Sequence, residues 1–395
     1  MENKTLKALG CGILSVALCG MAALPAAAQM GELARHTEAY TWSSGQYDGS
    51  GELTKGMQAQ LVADELVMVP GSTWMQLNFH SLRLGEGSYI QISSLLDGHT
   101  QRLDAEAVRA WNYRSAYFNG DALLVELFVA PMDREIFVNV EEVTVGDYRA
   151  PLKSICGTDD RTDSTDPRVG RMVPIGCTGW LVDNGKFITA GHCLNSRNSQ
   201  VLEFNVPDSN ADGSLNHPGP EDQYPIDQGS FTFVDGGVGN DWGVFTATAN
   251  TTTGLTPHAA QGSAFAIKQD LGPNNIRITG FGVDSGSDNQ SHQTHVGPNE
   301  GSSGTTMRYS ADTTGGNSGS PVIDEATNMA VGVHSHGGCS SSGGNNSGTS
   351  FFNSSFWQTV TGQAPSCAQV GDACTTNSDC CNNKCRGRSG RKTCK

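Results

Sequence analysis

The chain has 395 residues, which is long enough for two domains of ordinary size and a small appendage. Acidic residues outnumber basic ones by 40 to 25, so the formal net charge is -15 at pH 7, and this sign argues against a nucleic-acid-binding protein. The 49 glycines, with runs of β-branched and aromatic residues separated by Gly, Pro, Asn and Asp, predict an all-β protein.

The first 28 residues have the pattern of an export signal. Lys4 and Lys7 give a positive start, residues 8–24 are apolar, and residues 26–28 are the small alanines of a cleavage site. A membrane anchor is the alternative, but the apolar run is short and contains glycines. We expect cleavage after Ala28, secretion (extracellular or periplasmic) and no membrane anchor.

Two of the 12 cysteines, Cys11 and Cys19, lie in this predicted signal. The mature chain then keeps an even number of cysteines in an oxidising compartment, which makes disulfides the default prediction.

Residues 29–155 form the predicted N-terminal domain, a β-sandwich. Their apolar residues alternate with polar ones, as in strands with one buried face. The alternating runs are QLVADELVMV, TWMQLNFHSLRL, SYIQISSL, ALLVELFVA and IFVNVEEVTV. The region is similar to the CUB-like or jelly-roll domains of secreted hydrolases. Two roles stay open, a folding aid or removable pro-region and a module that binds a substrate or a surface.

The next unit, residues 156–362, contains the residue types of nucleophilic catalysis. Its polar beginning, residues 157–169, predicts a linker or an entry strand. A serine hydroxyl needs a base that takes its proton, and the base itself must be oriented. The sequence offers His192 at the end of the apolar run CTGWLVDNGKFITAGHC, Asp241 in NDWGVF and Ser318 in GGNSGSP.

These motifs, in the order His, Asp, Ser, resemble those of chymotrypsin-fold serine proteases, and MRYSADTTGGNSGSPV resembles the bacterial glutamyl endopeptidases most. The resemblance implies a double β-barrel in which His192 is the general base for Ser318 and Asp241 holds its tautomer. The amides of Gly316 and Ser318 would form the oxyanion hole. No metal or organic cofactor is needed for this chemistry.

The resemblance also aligns His334 with the specificity histidine of that family and Thr313 with a second position of the same pocket. A histidine and a hydroxyl can donate hydrogen bonds to a substrate carboxylate, so the expected cleavage follows Glu, with Asp as second choice. Two alternatives stay open for His334: an ordinary buried histidine, or a zinc ligand together with His336 and Cys339.

The mature N-terminal amine of that family is thought to help hold the substrate carboxylate. Arg168-Val169-Gly170 resembles an activation site whose cleavage would expose Val169. With Cys177–Cys193 assigned to the histidine loop, parity pairs Cys156 with Cys339.

Residues 363–395 form a short, cysteine-rich and basic tail that needs cross-links to fold. Six cysteines alone allow 15 pairings. The spacing, with adjacent Cys380 and Cys381, resembles inhibitor cystine knots (knottins), and the resemblance implies Cys367–Cys381, Cys374–Cys385 and Cys380–Cys394. The tail is expected to bind an acidic surface or polymer, or only to protect the C-terminus.

The sequence therefore predicts a secreted serine endopeptidase, made as a zymogen and acting on protein or peptide substrates as a monomer. One alternative is a serine protease of other specificity, in which His334 is structural. The other is a non-catalytic binding protein that uses the protease fold as a scaffold.

Overall fold

The computed structural model describes residues 27–51, 58–147, 153–271, 273–363, 377, 380, 384–388 and 391–395. Neighbouring strands pair in antiparallel fashion throughout its sheets. Among the described residues no helix is long and apolar enough to cross a membrane. The predicted all-β class is confirmed. A first, very short strand precedes both large units: β1 (Ala27–Ala28).

Two four-stranded sheets form the N-terminal β-sandwich, in the orders β2-β9-β4-β7 and β3-β8-β5-β6. Side chains of β8 alternate strictly between buried and half-buried positions, so the period-two pattern of the sequence corresponds to one face against the core. One helix lies between the strands. The elements are β2 (Arg35–Ser43), β3 (Gln60–Met68), β4 (Trp74–Arg83), β5 (Tyr89–Ser94), β6 (Thr100–Leu103), α1 (Ala105–Ala110), β7 (Phe118–Asn119), β8 (Ala122–Val129) and β9 (Phe137–Gly146).

Two six-stranded barrels follow. The first is the closed barrel β12-β13-β14-β17-β16-β15. The second runs β23-β22-β18-β19-β20-β26 and is closed by pairing of β23 with β26. The elements are β10 (Lys153–Ser154), β11 (Thr162–Asp163), β12 (Val169–Pro174), β13 (Cys177–Leu181), β14 (Phe187–Thr189), α2 (Gly191–Asn195), β15 (Ser199–Glu203), a 3-10 turn (Pro220–Asp222), β16 (Gln223–Asp235), β17 (Asp241–Ala247), α3 (Pro257–Gln261), β18 (Asn275–Gly280), a 3-10 turn (Gly286–Asp288), β19 (Gln293–Ser303), β20 (Thr306–Tyr309), β21 (Thr313–Thr314), β22 (Pro321–Asp324), β23 (Met329–Gly337), β24 (Cys339–Ser340), β25 (Gly343–Gly344), β26 (Asn346–Ser350) and α4 (Ser354–Thr361).

Each barrel has an apolar core of its own, and a third cluster of buried aromatic and aliphatic residues joins the barrels. Within that cluster, Phe356 of α4 stacks on Trp242 of β17 with the ring centroids 5.2 Å apart. The polar segment before the first barrel is an entry strand, because β11 pairs with β19 of the second barrel. The predicted chymotrypsin-like double barrel is therefore confirmed.

The sandwich packs directly on the first barrel. His217, in the loop between β15 and β16, is fully buried, and its ring stacks on Tyr117 of the sandwich at a centroid distance of 4.7 Å. Gln223 donates to the Tyr117 carbonyl and accepts from the Tyr117 amide, at 2.7 and 2.9 Å. The interface is thus both apolar and hydrogen-bonded.

The described part of the tail is a hairpin of β27 (Cys385–Arg388) and β28 (Arg391–Cys394). A disulfide joins Cys380 to Cys394, and Cys385 is also disulfide-bonded. Three cysteines of the expected knot, Cys367, Cys374 and Cys381, lie outside the described residues, as does most of the predicted signal.

Candidate active site

His192 lies where the first barrel faces the second. The strand β14 ends at Thr189 and the short helix α2 begins at Gly191, so His192 sits in the first turn after the strand. A disulfide joins Cys177 and Cys193 on the two sides of this segment. The imidazole is 7% exposed, which leaves it shielded but reachable from the cleft.

Asp241 begins β17 and lies under the imidazole, fully buried. Its Oδ2 lies 2.6 Å from His192 Nδ1. Its Oδ1 accepts from the amides of Gly191 and His192, at 2.6 and 3.1 Å. A carboxylate that accepts from three N–H groups fixes the proton of the imidazole on Nδ1 and leaves Nε2 as an acceptor.

Ser318 lies in the turn between β21 and β22 of the second barrel. Its Oγ is 2.8 Å from His192 Nε2, so the structure brings together the three residues that the sequence motifs singled out. The turn depends on Gly316, whose φ of +105° is unfavourable for other residues. A Cβ at this position would lie 2.2 Å from the Phe281 carbonyl oxygen.

The two predicted oxyanion donors converge on one acceptor. The amides of Gly316 and Ser318 both donate to the carbonyl oxygen of Gln29, at 2.5 and 3.3 Å. This oxygen belongs to the protein's own N-terminal segment, which lies across the site. Such a pair of amides aimed at one carbonyl stabilises the oxyanion of an acyl-transfer reaction.

The pocket beside the serine contains the two residues predicted to bind a substrate side chain. The Thr313 hydroxyl donates to Gln29 Oε1 at 2.8 Å, and His334 Nε2 lies 2.5 Å from the same oxygen. Both residues are fully buried. The pocket therefore presents two donors to a single acceptor, the amide oxygen at the end of the Gln29 side chain.

Burial, followed by the charges of His336 and His192, lowers the pKa of His334 to about 3. The imidazole is therefore neutral and donates through one nitrogen only. Its Nδ1 lies 2.6 Å from the hydroxyl of Tyr309, and burial raises the pKa of that phenol, which keeps it a donor. Tyr309 thus directs the proton of His334 to Nε2, the atom that faces the pocket.

Sequence reasoning gave no role to Tyr309, although its strand lies in the stretch MRYSADTTGGNSGSPV. The signal was the aromatic residue itself, placed four positions before Thr313 at a strand end. Sequence reasoning also missed Gln29. This residue lies far from the motifs in the sequence, and nothing around it signals a role in the site.

His334 and His336 do not point to one site. His334 faces Tyr309 and the pocket, whereas His336 Nδ1 lies 2.9 Å from Ser335 Oγ and 3.8 Å from Asp241 Oδ2. Cys339 is bonded to Cys156, as parity implied. A disulfide sulfur has no thiolate to offer, so this trio does not make the zinc site considered above.

The segment Arg168-Val169-Gly170, which resembles an activation site, is held in the first barrel. Val169 is 2% exposed and pairs with Trp180, and Arg168 forms an ion pair with Asp166 at 2.6 Å. Val169 does not border the pocket. The strand next to the pocket residue Thr313 is β10, whose Ser154 pairs with Thr313.

The N-terminal segment 27–33 lies in the cleft on both sides of Ser318. On one side of the serine, β1 pairs with β23 in the register Ala27 to Gly337 and Ala28 to His336. On the other side, Gly31 and Leu33 donate to the carbonyls of Gly176 and Pro174, at 2.7 and 2.9 Å. Gln29 lies between, 6% exposed, with its amide nitrogen 3.0 Å from Ser318 Oγ.

Comparison with known proteins agrees with this geometry. Residues 177–333, less than half of the chain, match the sequence model of the trypsin-like peptidase domain. No curated protein matches the chain.

The similar solved structures include three proteases. A Glu endopeptidase in complex with MPD is 21% identical with a TM-score of 0.40, and the match covers 52% of this chain and 97% of that chain. The thermostable serine protease AL20 from an extremophilic microorganism is 16% identical with a TM-score of 0.37, over 47% and 92% of the two chains. The protease Anisep from Arthrobacter nicotinovorans is 16% identical with a TM-score of 0.36, over 48% and 93%. The segment 177–333 is therefore similar in sequence to trypsin-like peptidase domains, and it lies within the double β-barrel described above.

Proposed function

We propose that the protein is a secreted serine endopeptidase that cleaves peptide bonds after Glu, with Asp as second choice. One observation carries the specificity: Thr313 and His334 donate to the single acceptor oxygen of the glutamine side chain that fills the pocket. Glutamate has the same length and shape and offers a charged acceptor at the same place, and charge-assisted hydrogen bonds are about twice as strong as neutral ones.

The reaction uses only groups of the chain itself. Ser318 attacks the carbonyl carbon while His192 Nε2 takes its proton, and the amides of Gly316 and Ser318 hold the oxyanion. His192 then protonates the leaving amine, and water hydrolyses the acyl-enzyme by the same route. Asp241 keeps the imidazole in the required tautomer and stabilises its charged form.

The neutral pocket favours an acidic residue over a basic one. Among the described residues, those on the wall of this pocket include no carboxylate that faces Gln29 Oε1; the donors are a hydroxyl and a neutral imidazole. A lysine or arginine would therefore bury its charge without a partner, which is costly. This reasoning supports acidic specificity over the alternative in which His334 is only structural.

The test is digestion of a peptide library by the purified protein, with the residue before each new cut read by mass spectrometry. Ser318→Ala should abolish all cuts. His334→Ala should reduce kcat/KM for Glu substrates about 10- to 100-fold, the value of a lost charge-assisted hydrogen bond. His80→Ala, on the exposed surface of the sandwich, is the matched control and should leave activity unchanged.

Cuts after other residues, insensitive to His334→Ala, would leave a serine protease of different specificity. The absence of any cutting that depends on Ser318 would instead favour the binding-protein alternative.

A further inference from the structure

The protein's own segment 27–33 lies in the cleft as a peptide substrate would. The carbonyl of Gln29 lies in the oxyanion hole, its side chain fills the specificity pocket, and its amide nitrogen contacts Ser318 Oγ. These contacts fix the Gln29–Met30 peptide bond next to the nucleophile. A loop that merely covered the site would have no reason to satisfy the oxyanion donors and both pocket donors together.

We propose that the chain is its own first substrate and that Ser318 cleaves the Gln29–Met30 bond within the same molecule. The inference rests on the proposed serine endopeptidase activity and adds a specific bond to it. Until the cut, the same contacts keep other peptides out of the pocket, so the uncut chain is self-inhibited.

The reaction follows the steps of ordinary hydrolysis. Ser318 Oγ forms an ester bond to the Gln29 carbonyl carbon and gives its proton to His192 Nε2. The bond from that carbon to Met30 nitrogen breaks as His192 returns the proton to this nitrogen. Water then hydrolyses the ester, so the upstream piece ends in a Gln29 carboxylate and the remaining chain begins with the Met30 amine.

A glutamine before the cleaved bond predicts slower cleavage than a glutamate would. Gln29 Oε1 accepts from the same two donors that we assign to a substrate carboxylate, but the amide oxygen carries no full charge. Neutral hydrogen bonds are weaker than charge-assisted ones, so we expect cleavage after Gln29 to be slower than cleavage after a glutamate at this position. The pocket is also close-fitting, because a Cβ at Gly337 would lie 2.4 Å from Gln29 Nε2.

The two sides of the bond differ in how they are held. Upstream, Ala27 and Ala28 are exposed and pair with the end of β23, and the expected export cut after Ala28 would leave Gln29 alone on this side of the bond. Downstream, Gly31 and Leu33 bond to the first barrel and Gln290 Nε2 donates to the Gly31 carbonyl at 2.8 Å, and the chain then continues into β2. After the cut the upstream piece can therefore leave and empty the pocket, whereas the downstream piece stays.

The test uses the full chain, translated without membranes in an oxidising mixture so that the predicted export cut after Ala28 does not occur. N-terminal amines are labelled and identified by mass spectrometry in the wild type and in Ser318→Ala. We expect Met30 as the new N-terminus of the wild type and its complete absence from Ser318→Ala. The rate should stay unchanged when the protein is diluted about 100-fold, because the reaction is intramolecular.

Variants of Gln29 separate pocket binding from general folding. Gln29→Lys should slow the cut at least about tenfold, because the cation finds no partner in the pocket, and Gln29→Glu should accelerate it. A chain that cleaves Glu peptides through Ser318 but keeps its Gln29–Met30 bond would overturn this inference and leave the proposed function standing. A chain that cuts neither its own bond nor any peptide would overturn both.

Discussion

At the residue scale, the pocket histidine depends on a tyrosine hydroxyl behind it. His334 is neutral because burial lowers its pKa to about 3, so only one of its two nitrogens can donate. The hydroxyl of Tyr309 occupies the other nitrogen at 2.6 Å. Tyr309 does not reach the pocket oxygen itself and is therefore a positioning residue.

We predict that Tyr309→Phe lowers kcat/KM for Glu substrates about tenfold, the value of one hydrogen bond to a charged group. Without the hydroxyl, the imidazole proton can move to Nδ1 and leave an acceptor facing the substrate carboxylate. The rate at which a small fluorophosphonate labels Ser318 should not change, because this reagent does not use the pocket. An equal loss in both assays would show a general structural role instead.

The sequence identified the residues of the site that lie in short motifs, and it missed those contributed by remote segments. His192, Asp241, Ser318, Thr313 and His334 all lie in recognisable stretches of sequence. Tyr309 meets His334 only because β20 and β23 both pair with β26. The whole sandwich domain separates Gln29 from the pocket residues in the sequence, and no local pattern encodes a contact between such distant segments.

At the element scale, a buried charge cluster fixes the loop between β15 and β16. Glu203 at the end of β15 pairs with Arg171 of β12 at 2.8 Å and with His217 Nδ1 at 2.6 Å. Burial opposes the ionised form of Glu203, yet His217 and Arg171 hold the pKa of that carboxyl below its usual value. All three side chains are fully buried, and His217 carries the contact with the sandwich.

We predict that Glu203→Gln lowers the free energy of unfolding by about 3–5 kcal/mol, because it leaves the Arg171 guanidinium buried without its counter-charge. Glu221→Gln is the matched control: Glu221 belongs to the same loop but is exposed, and we expect a change of less than about 0.5 kcal/mol. Urea unfolding of both variants in the Ser318→Ala background avoids self-digestion. Equal stability of the two variants would contradict the prediction.

Strands were predictable where one face is apolar, as in β3, β4, β5, β8 and β9. β2 was not predicted, since its sequence RHTEAYTWS has mainly exposed side chains and lacks the alternation. It forms because its backbone pairs with β9 along most of its length. The loop between β15 and β16 looked like surface from its polar and proline-rich sequence, and only the packing of the sandwich explains why His217 is buried.

At the scale of the whole molecule, several histidines are buried in neutral form. Burial lowers the pKa of His334 to about 3 and that of His292 to about 4, and it also lowers the pKa of His217. In the unfolded chain these side chains take up protons near pH 6.5. Between pH 6.5 and the lower values of the folded state, the unfolded chain therefore binds more protons.

We predict that the contribution of these neutral histidines to the free energy of unfolding is complete above about pH 6.5. Below this pH the free energy of unfolding falls toward pH 4, by about 1.4 kcal/mol per pH unit for each such histidine. Urea unfolding of Ser318→Ala at a series of pH values measures this slope. His292→Gln should reduce this slope by the contribution of one histidine. The His292 ring packs on Phe281, and its Nε2 lies 2.9 Å from the Thr279 hydroxyl. An unchanged slope in that variant would contradict the assignment.

Gly31 and Leu33 are anchored on the first barrel and lead directly into the sandwich. The sandwich therefore holds a competing segment of the chain next to the bond to be cleaved. Leu33 is 3% exposed, and β2 begins two residues later. A ligand tethered so closely competes at an effective concentration on the order of millimolar. A peptide substrate always extends beyond the cleaved bond and must displace this ligand, whereas a substrate with a small leaving group need not. Any event that pulls on β2 would therefore change which lengths of substrate the cleft accepts.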